Sequence, residues 1–397
     1  MGGGHGALAI ARSLGRRGIP VWVVIDELRL AASSRYVTGC LRWLGGLSSQ
    51  QQAEYLVEAA GRHRLEGWTL IAGNAASAEL MARHREVLAP VFKFCTSSWN
   101  VVREALDKRL SYALADRCGV AHPLTFYPQD GNDLMRLEVA FPAILKPSVQ
   151  AGWNALISAK AWKLRSRDEM IRRYGEARVM MEPRSIMIQD FVPGTNDNQY
   201  SYAALCRDGV PLASLTARRL RQYPIEFGRT SSLVETIDMP EVESLARRLL
   251  SARGFTGIVE VEFKRDPRDG KLKLLDINPR AWRWISLGAR AGVDFPYLLY
   301  RMARGEAQAT VDPIRGVPGV RWVRMSTDVL AAARELWRGS TTFRGYLDSL
   351  RPPLEFSILA DDDLLPAILE VPHLIAADAR RWGLARRLWG SVKSRPG

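Results

Sequence analysis

One stretch of the chain, GIVEVEFKRDPRDGKLKLLDINPR at residues 257–280, constrains the fold more than any other. Apolar and polar residues alternate over residues 258–264, which is typical of a strand with one buried face. This alternation places the two glutamates together on one face. A turn at residues 266–270 reverses the chain, and residues 271–277 return as a second strand. The stretch therefore predicts a β-hairpin with an acidic face.

The turn decides which acids face each other across this hairpin. With a three-residue loop at Arg268–Gly270, Glu262 lies opposite Asp276, whereas a slip of two residues would pair Glu260 with Asp276. Either register brings two carboxylates to about 5 Å, where like charges destabilise the pair. A divalent cation removes this conflict, because Mg²⁺ takes one or two carboxylates together with phosphate oxygens and water. The hairpin therefore predicts a metal–phosphate site.

Two residues after Asp276 support the same interpretation. Asn278 points to the same face of the strand and offers a neutral oxygen ligand. Arg280 lies two residues further on and supplies a planar fork for phosphate or carboxylate. A metal, a phosphate and a carboxylate could therefore meet at this end of the hairpin.

Three other segments carry possible nucleotide contacts. Phe141–Ser148 (FPAILKPS) is an apolar strand ending in Lys146, and an ammonium in such a strand must reach water or an anion such as a nucleotide phosphate. A helix predicted over Asn100–Cys118 carries Lys108, which by itself could equally be a solvated charge. Ile186–Gly194 (IMIQDFVPG) predicts another strand, closed by a Pro–Gly turn.

The first hundred residues predict a parallel sheet. Glycines at residues 2–6 precede a helix-like stretch and the apolar run Val21–Asp26, and Trp68–Asn74 predicts a second parallel strand. The strand expected before the glycines and the third glycine of a dinucleotide fingerprint are both missing. A nicotinamide-linked oxidoreductase is therefore the weaker alternative for this region.

Composition narrows the class of protein. The 397 residues are 47% hydrophobic and 25% charged, which excludes a disordered chain, and their net charge of +14 favours anionic partners. No apolar run reaches the roughly 18 residues of a membrane span, and no secretory signal is present. Four scattered cysteines argue against a zinc site or disulfides. We expect a cytoplasmic protein, and no nucleic-acid-binding motif is present.

Together, these motifs resemble the ATP-grasp superfamily, in particular its carboxylate–amine (amino-acid) ligases related to biotin carboxylase and D-alanine–D-alanine ligase. VEVEF followed by LLDINPR is similar to the family's metal–phosphate signature, and AILKP and IQDFVPG are similar to its two nucleotide-clamping strands. The resemblance implies an α/β (α+β) fold with three parts. They are a Rossmann-like pre-ATP-grasp domain over 1–99 without a recognisable first strand, a two-lobed ATP-grasp domain over 100–305 (lobes 100–188 and 189–305), and a mostly helical C-terminal extension over 306–397.

The resemblance also implies roles for individual residues. Lys108 and Lys146 would contact ATP phosphates, and Arg280 would act with Lys146 in catalysis by gripping the transferred phosphoryl group. The other implied nucleotide contacts are Gln189, Asp190, Phe191 and Val192 for adenine and Asp197 for ribose. The implied ligands of Mg²⁺ (or Mn²⁺) are Glu262, Asp276 and Asn278. The candidates for binding a substrate carboxylate are Arg218, Arg219, Arg221 and Arg229.

The activity implied is amide formation from a small-molecule carboxylate and an amine, through an acyl phosphate and with release of ADP and phosphate. An ATP-dependent carboxylase, a small-molecule kinase and a non-catalytic nucleotide-binding protein remain alternatives. Two features depart from the family pattern: Asp190 stands where many members have Glu, and the loop after Lys146 has few glycines. The basic amphipathic segment Leu374–Arg395 either packs on the protein or contacts an anionic membrane. The oligomeric state is open.

Overall fold

The computed structural model describes residues 1–25, 30–44, 46–149, 155–223, 230–306, 313–370 and 372. The helices in these residues are α1 (His5–Gly15), α2 (Ser49–His63), α3 (Ala75–Arg83), α4 (Arg85–Leu88), α5 (Trp99–Leu106), α6 (Lys108–Arg117), α7 (Gly131–Arg136), α8 (Ala155–Ala159), α9 (Arg167–Met180), α10 (Pro240–Ala252), α11 (Ser286–Arg290), α12 (Phe295–Ala303), α13 (Met325–Trp337) and α14 (Phe343–Ser349). The strands are β1 (Val21–Ile25), β2 (Val37–Arg42), β3 (Thr125–Phe126), β4 (Ala143–Pro147), β5 (Trp162–Leu164), β6 (Ile186–Asp190), β7 (Gln199–Arg207), β8 (Val210–Tyr223), β9 (Thr230–Ile237), β10 (Gly257–Arg265), β11 (Leu272–Asn278), β12 (Ile314–Arg315), β13 (Arg321–Val323) and β14 (Leu354–Phe356).

The largest sheet has the order β11-β10-β7-β8-β9-β13-β14, with β12 beside β8. Its residues alternate between two hydrophobic cores, as the pleat of a strand requires. Ile258 of β10 belongs to the core that holds α1, α11 and α12, whereas Val259 and Val261 belong to the core with α6 and α10. The acids of β10 therefore share the side of the sheet on which α1 lies.

A smaller sheet has the order β3-β6-β4-β5, with antiparallel neighbours. Leu145 of β4 and Ile188 of β6 are fully buried against Met170 and Tyr174 of α9. This packing leaves Lys146 on the opposite face of β4, because successive side chains of a strand alternate.

The N-terminal region contains the expected strand β1, which pairs in parallel with β2, a strand that the sequence did not indicate. Met1 and Gly2 lie beside β1, since the Gly2 amide donates to the Val24 carbonyl at 2.8 Å and the Met1 ammonium to the Ile71 carbonyl at 2.6 Å. The strand expected over Trp68–Asn74 is reduced to a single parallel bridge between Thr69 and Lys93.

The long helix expected over Asn100–Cys118 is broken at Asp107. This residue has extended backbone angles, and its side chain accepts a hydrogen bond from the Arg109 amide at 2.9 Å. Aspartate is a favoured N-cap, so α6 starts anew after it. The break makes Lys108 the first residue of α6, and its amide donates to the Ser148 carbonyl at 3.1 Å.

The hairpin of β10 and β11 forms as expected, but its loop is longer than the three residues assumed. The Asp266 amide donates to Lys271 and the Gly270 amide to Asp266, which leaves a four-residue loop with Gly270 at φ +70°. A β-bulge at Leu275 then shifts the register by one residue. Glu262 consequently still pairs with Asp276, so the first of the two predicted registers is the one formed.

The described C-terminal part contains strands besides the helices α13 and α14, because β13 and β14 extend the large sheet beside β9. Strands of three residues carry too little alternation to be recognised in the sequence. No helix in the described part of the chain has the length and apolar character needed to cross a lipid bilayer. The segment Leu374–Arg395 lies outside the described residues, and its proposed membrane contact stays a prediction.

Candidate active site

The centre of the site is the pair of acids on the hairpin. Glu262 faces Asp276 across β10 and β11, and Glu260 faces Asn278 two pairs further along. All four side chains lie on one face, and the Asn278 amide donates to Glu262 Oε1 at 3.0 Å and to Glu260 at 3.3 Å. The like charges that the sequence placed opposite each other therefore do meet in the structure.

Two lysines from other elements reach this pair. Lys108 Nζ donates to Asp276 Oδ1 at 2.7 Å. Burial alone would raise the pKa of Asp276, but the charge and hydrogen bond of Lys108 outweigh it, so the pKa is lowered. Burial lowers the pKa of Lys146 to about 7, and the charge of Lys108 adds to this effect. The two lysine side chains therefore lie on the acidic face of the hairpin, where they can offset negative charge.

Glu262 is held by three donors. Gln199 Nε2 lies 2.7 Å from Glu262 Oε2, and Arg219 Nη2 lies 3.1 Å from the same atom. Gln199 comes from the start of β7 and Arg219 from β8, the two strands next to β10 in the sheet. These contacts fix the carboxylate without burying it, since 17% of its side chain is exposed.

Glu260 differs from Glu262 because it is buried. Burial raises its pKa to about 8, with a further increase from the charge of Glu262, and the Ser201 hydroxyl lies 3.2 Å from its carboxyl. At neutral pH this carboxyl is therefore mostly protonated, which leaves Glu262 and Asp276 as the charged acids of the hairpin.

Arg280 lies at the end of the acidic face. Its Nη2 donates to Asn278 Oδ1 at 2.8 Å and its Nη1 to the Ala281 carbonyl at 3.0 Å. Both partners are neutral, so the guanidinium keeps its full positive charge for an anion. Such a fork suits a phosphoryl or carboxylate group.

The end of β6 forms a second part of the site. Asp190 Oδ1 is buried and has no hydrogen-bond partner in the described residues, which makes it ready to accept from a ligand. The ammonium groups of Lys163 and Lys264 lie 5.2 and 5.6 Å from the centre of the Phe191 ring. Lys264 also donates to the Val192 carbonyl at 2.9 Å. This edge offers a flat ring and polar backbone.

The two remaining residues proposed to contact the nucleotide, Gln189 and Asp197, have hydrogen-bond partners within the protein. The Gln189 side-chain nitrogen has partners inside the protein, because it donates to the Tyr112 hydroxyl of α6 at 3.0 Å and to the Thr125 hydroxyl of β3 at 2.7 Å. Asp197 is exposed and accepts from the Thr195 hydroxyl. The loop after Lys146, over residues 150–154, lies outside the described residues.

Three of the four arginines suggested for substrate binding lie in the described residues, and they have different partners. Arg218 pairs with Glu235 at 3.0 Å, and Arg221 pairs with the buried Asp328 at 2.8 Å. Of these three, only Arg219 contacts an acid of the hairpin. Arg229 lies outside the described residues.

The donor set fits a hard cation. Glu262, Asp276 and Asn278 offer carboxylate and amide oxygens, which Mg²⁺ and Mn²⁺ prefer. Within the described ranges, no three Asp, Glu, His or Cys side chains form a complete metal site. A site with two carboxylates leaves coordination positions open for phosphate oxygens and water, as Mg²⁺ usually requires beside a nucleotide.

Comparisons with known proteins agree with this geometry. Residues 187–326 match a family model described as ATP-grasp in the biosynthetic pathway with Ter operon. The chain superposes on the biotin carboxylase domain of the 2-oxoglutarate carboxylase of Hydrogenobacter thermophilus with a TM-score of 0.59 and 18% identity, over 78% of this chain and 69% of that one. The chain has the mixed α/β ATP-grasp fold.

Two further proteins that are similar to this chain are named as amino-acid ligases. The D-aspartate ligase of Enterococcus faecium is 24% identical over 226 residues, which is 54% of each chain. The L-amino acid ligase of Bacillus licheniformis has a TM-score of 0.56 at 12% identity, over 78% of this chain and 75% of that one. The match thus spans about half the length of the curated D-aspartate ligase. The structural likenesses show the fold.

Sequence reasoning missed several residues of the ATP-grasp site. Gln199 and Lys160 stand in segments without a motif, so the sequence gives no signal for them. Desolvation lowers the pKa of Lys160 to about 8 although Glu262 opposes it, which places this lysine beside the acids. Glu260 could have been found, because it shares a face with Glu262 in the alternating strand.

Proposed function

We propose that this protein is an ATP-dependent ligase that joins a small-molecule carboxylate to an amine. The observation that carries the proposal is the meeting of Lys108 and Lys146 with the opposed acids Glu262 and Asp276 beside the guanidinium of Arg280, whose hydrogen-bond partners are neutral. Such a site neutralises several negative charges in a small volume. Phosphoryl transfer from ATP to an acid requires this neutralisation.

The residues divide into a nucleotide part and a metal part. Asp190 would accept from the exocyclic amine of adenine, with Phe191 and Val192 beside the base and Asp197 near the ribose. Gln189 would act by holding this strand in place. Glu262, Asp276 and Asn278 would hold Mg²⁺ or Mn²⁺. The metal, when bound, would offset charge on the phosphate oxygens.

The proposed reaction has two steps. An oxygen of the substrate carboxylate attacks the γ-phosphorus, the bond from phosphorus to the ADP oxygen breaks, and an acyl phosphate forms. The amine nitrogen then attacks the acyl carbon, phosphate leaves with the electrons of the carbon–oxygen bond, and the nitrogen loses a proton. Arg280 would hold the transferred group in both steps, and Lys108 and Lys146 would bind phosphate oxygens.

The names of two relatives support the amide-forming branch. The D-aspartate ligase and the L-amino acid ligase act on amino acids by their names, and this chain shares the fold of the second over most of its length. An amino acid would supply a carboxylate or an amine to the proposed reaction.

The test measures ADP release by the full chain with Mg²⁺-ATP, hydroxylamine and a panel of carboxylic acids. Hydroxylamine replaces the unknown amine, because it attacks an acyl phosphate to give a hydroxamate and phosphate. We expect at least one acid to give hydroxamate and ADP in equal amounts, and none without a divalent metal. Metal-dependent ATP binding without either product for any acid would overturn the proposal.

A carboxylase is the second candidate, because the chain shares its fold with a biotin carboxylase domain. This activity predicts that bicarbonate alone stimulates ADP release and that no hydroxamate forms from the acid panel. A small-molecule kinase would instead leave a stable phosphorylated product. The same assay therefore separates the three activities.

A further inference from the structure

Arg283 lies in the turn between β11 and α11, in a position that the surrounding core fixes. Its neighbours Trp282 and Trp284 are 1% and 3% exposed, and their rings lie 5.4 Å apart. Phe295 packs edge-on against Trp282 at 5.0 Å. Because both flanking side chains are anchored in the core, the backbone of Arg283 has little freedom, whereas its own side chain is exposed to solvent.

The charges around Arg283 are not balanced. Arg219 is paired with Glu262 at 3.1 Å and Arg324 with Glu370 at 2.9 Å. Arg283 makes no hydrogen bond or ion pair with any described residue. Desolvation lowers its pKa to about 10, and the positive charges of Arg324, Arg280 and Arg219 lower it further. Its guanidinium is therefore reachable by water but enclosed among like charges.

The start of α1 approaches the same place from the N-terminal region. A Cβ on Gly6 would lie 3.3 Å from the Trp282 carbonyl, so the helix packs directly on the turn that carries Arg283. Among the described residues, α1 has no side-chain cap and no acid in its first turn. His5, its first residue, has its pKa lowered to about 3, mainly by burial; Glu370 at 3.7 Å opposes this shift, and the charges of Arg324 and Arg283 add to it. It is therefore neutral at physiological pH.

Arg219 and Arg324 each pair with an acid, whereas Arg283 has no partner among the described residues and the hydrogen-bond partners of Arg280 are neutral. An anionic ligand would therefore offset positive charge at this turn. We infer that Arg283, with the start of α1 beside it, binds a second anionic group of the acid substrate. The inference rests on the proposed function, in which Arg280 holds the carboxylate that is phosphorylated. Three residues span at most about 11 Å, so both groups can belong to one small dianion. The substrate class is then a dicarboxylate or a carboxylate that also carries phosphate.

The test compares acids with neutral isosteres in the hydroxamate assay. The pairs are glutamate with glutamine, succinate with succinamate, and O-phosphoserine with serine. We expect at least one dianion to have a kcat/KM at least tenfold above that of its partner. Glutamate or succinate would identify carboxylate as the second group, and O-phosphoserine would identify phosphate.

Arg283→Gln should raise the KM for the preferred dianion at least tenfold and change the KM for ATP less than twofold. Arg283→Lys keeps the charge but loses the planar guanidinium. Its KM for the dianion should lie between the values of wild type and Arg283→Gln. Arg290→Gln is the matched control, because Arg290 is an exposed arginine at the end of α11 and should leave both KM values unchanged.

A binding measurement separates this inference from the proposed function. In the presence of ADP and Mg²⁺, the dianion should raise the melting temperature of wild type more than its isostere does, and Arg283→Gln should remove that difference. If the dianion stabilises only wild type but no hydroxamate forms, the ligase proposal fails and the anion site stands. Equal stabilisation by dianion and isostere, or equal kcat/KM, overturns the anion site.

Discussion

Arg219 and Arg221 lie two residues apart in β8, yet they serve two regions of the molecule. Arg219 reaches Glu262 in the partly open site at 3.1 Å. Arg221 grips Asp328 of α13 with two hydrogen bonds of 3.0 and 2.8 Å, and the two side chains are 7% and 0% exposed. In a regular strand both would share one face, but the register of β8 and β9 shifts between them.

This comparison shows that an arginine can either stabilise the fold, as Arg221 does, or contact the acids of the site, as Arg219 does. The pair of Arg221 and Asp328 is sealed in protein, so either charge alone would be buried without a partner. Glu262 instead has three donors and a side chain that is 17% exposed, so a metal could replace one of these donors. We expect stability to depend on the sealed pair and activity on the open site.

Breaking the sealed pair should have the largest effect. Asp328→Ala leaves Arg221 buried and unpaired, and should lower the free energy of unfolding by about 3–5 kcal/mol. Urea denaturation followed by circular dichroism measures this. The double variant Arg221→Met with Asp328→Leu should recover part of the loss, and ADP release per folded molecule should stay near wild type. An unchanged urea midpoint in Asp328→Ala would contradict the structural role.

Changing an acid of the open site should instead reduce activity and leave stability nearly unchanged. Asp276→Asn removes one metal ligand and should reduce Mg²⁺-dependent ADP release about 10²–10³-fold. Stability should change little, because the loss of the contact with Lys108 is offset by less repulsion with Glu262. Asp269→Asn, in the exposed hairpin loop, is the control and should keep full activity. Equal ADP release by Asp276→Asn and wild type would remove Asp276 from the site.

Lys146→Met should affect nucleotide binding rather than folding. Loss of a charged donor to phosphate should weaken ADP binding about 10- to 100-fold, as measured by calorimetry. Lys271→Met, at an exposed lysine just after the hairpin loop, is the control for a lost lysine away from the nucleotide and should keep wild-type affinity. Wild-type affinity in Lys146→Met would exclude the phosphate contact.

The pH dependence of this binding follows from the lowered pKa of Lys146. The free lysine is half charged near pH 7, and a bound phosphate favours the charged form and so raises the pKa. At pH 8, ADP binding should therefore take up as much as about 0.9 proton, and affinity should fall as the pH rises above 7. Calorimetry in buffers of different ionisation enthalpy gives the proton count. Uptake that persists in Lys146→Met would assign it to another group.

Arg218→Ala should have the smallest effect. Its pair with Glu235 is partly exposed, and surface pairs of this kind contribute about 0–1 kcal/mol. The KM for the acid substrate should not change, because the structure gives this arginine a partner outside the cluster of Arg219, Arg280 and Arg283. A tenfold rise in that KM would return Arg218 to the substrate site.

The sequence determined the local geometry of the hairpin. Alternation fixes that Glu260 and Glu262 share a face, and this follows from the period of a strand alone. The cost of opposing carboxylates then pointed to a cation before any contact was known. The Asp107 cap, which sets Lys108 at the start of α6, was also readable but was overlooked within a longer apolar pattern.

Only the tertiary structure decided which distant residues join the hairpin. Lys108 and Asp276 are separated by 168 positions, and their contact exists because α6 packs under the large sheet. Arg219 and Arg221 have different partners because the register of β8 and β9 shifts between them. The surroundings of Arg283 depend on where α1 packs against the turn at Trp282. A local pattern sets the face of a residue, but long-range packing sets its neighbours, and the neighbours decide its charge and its chemistry.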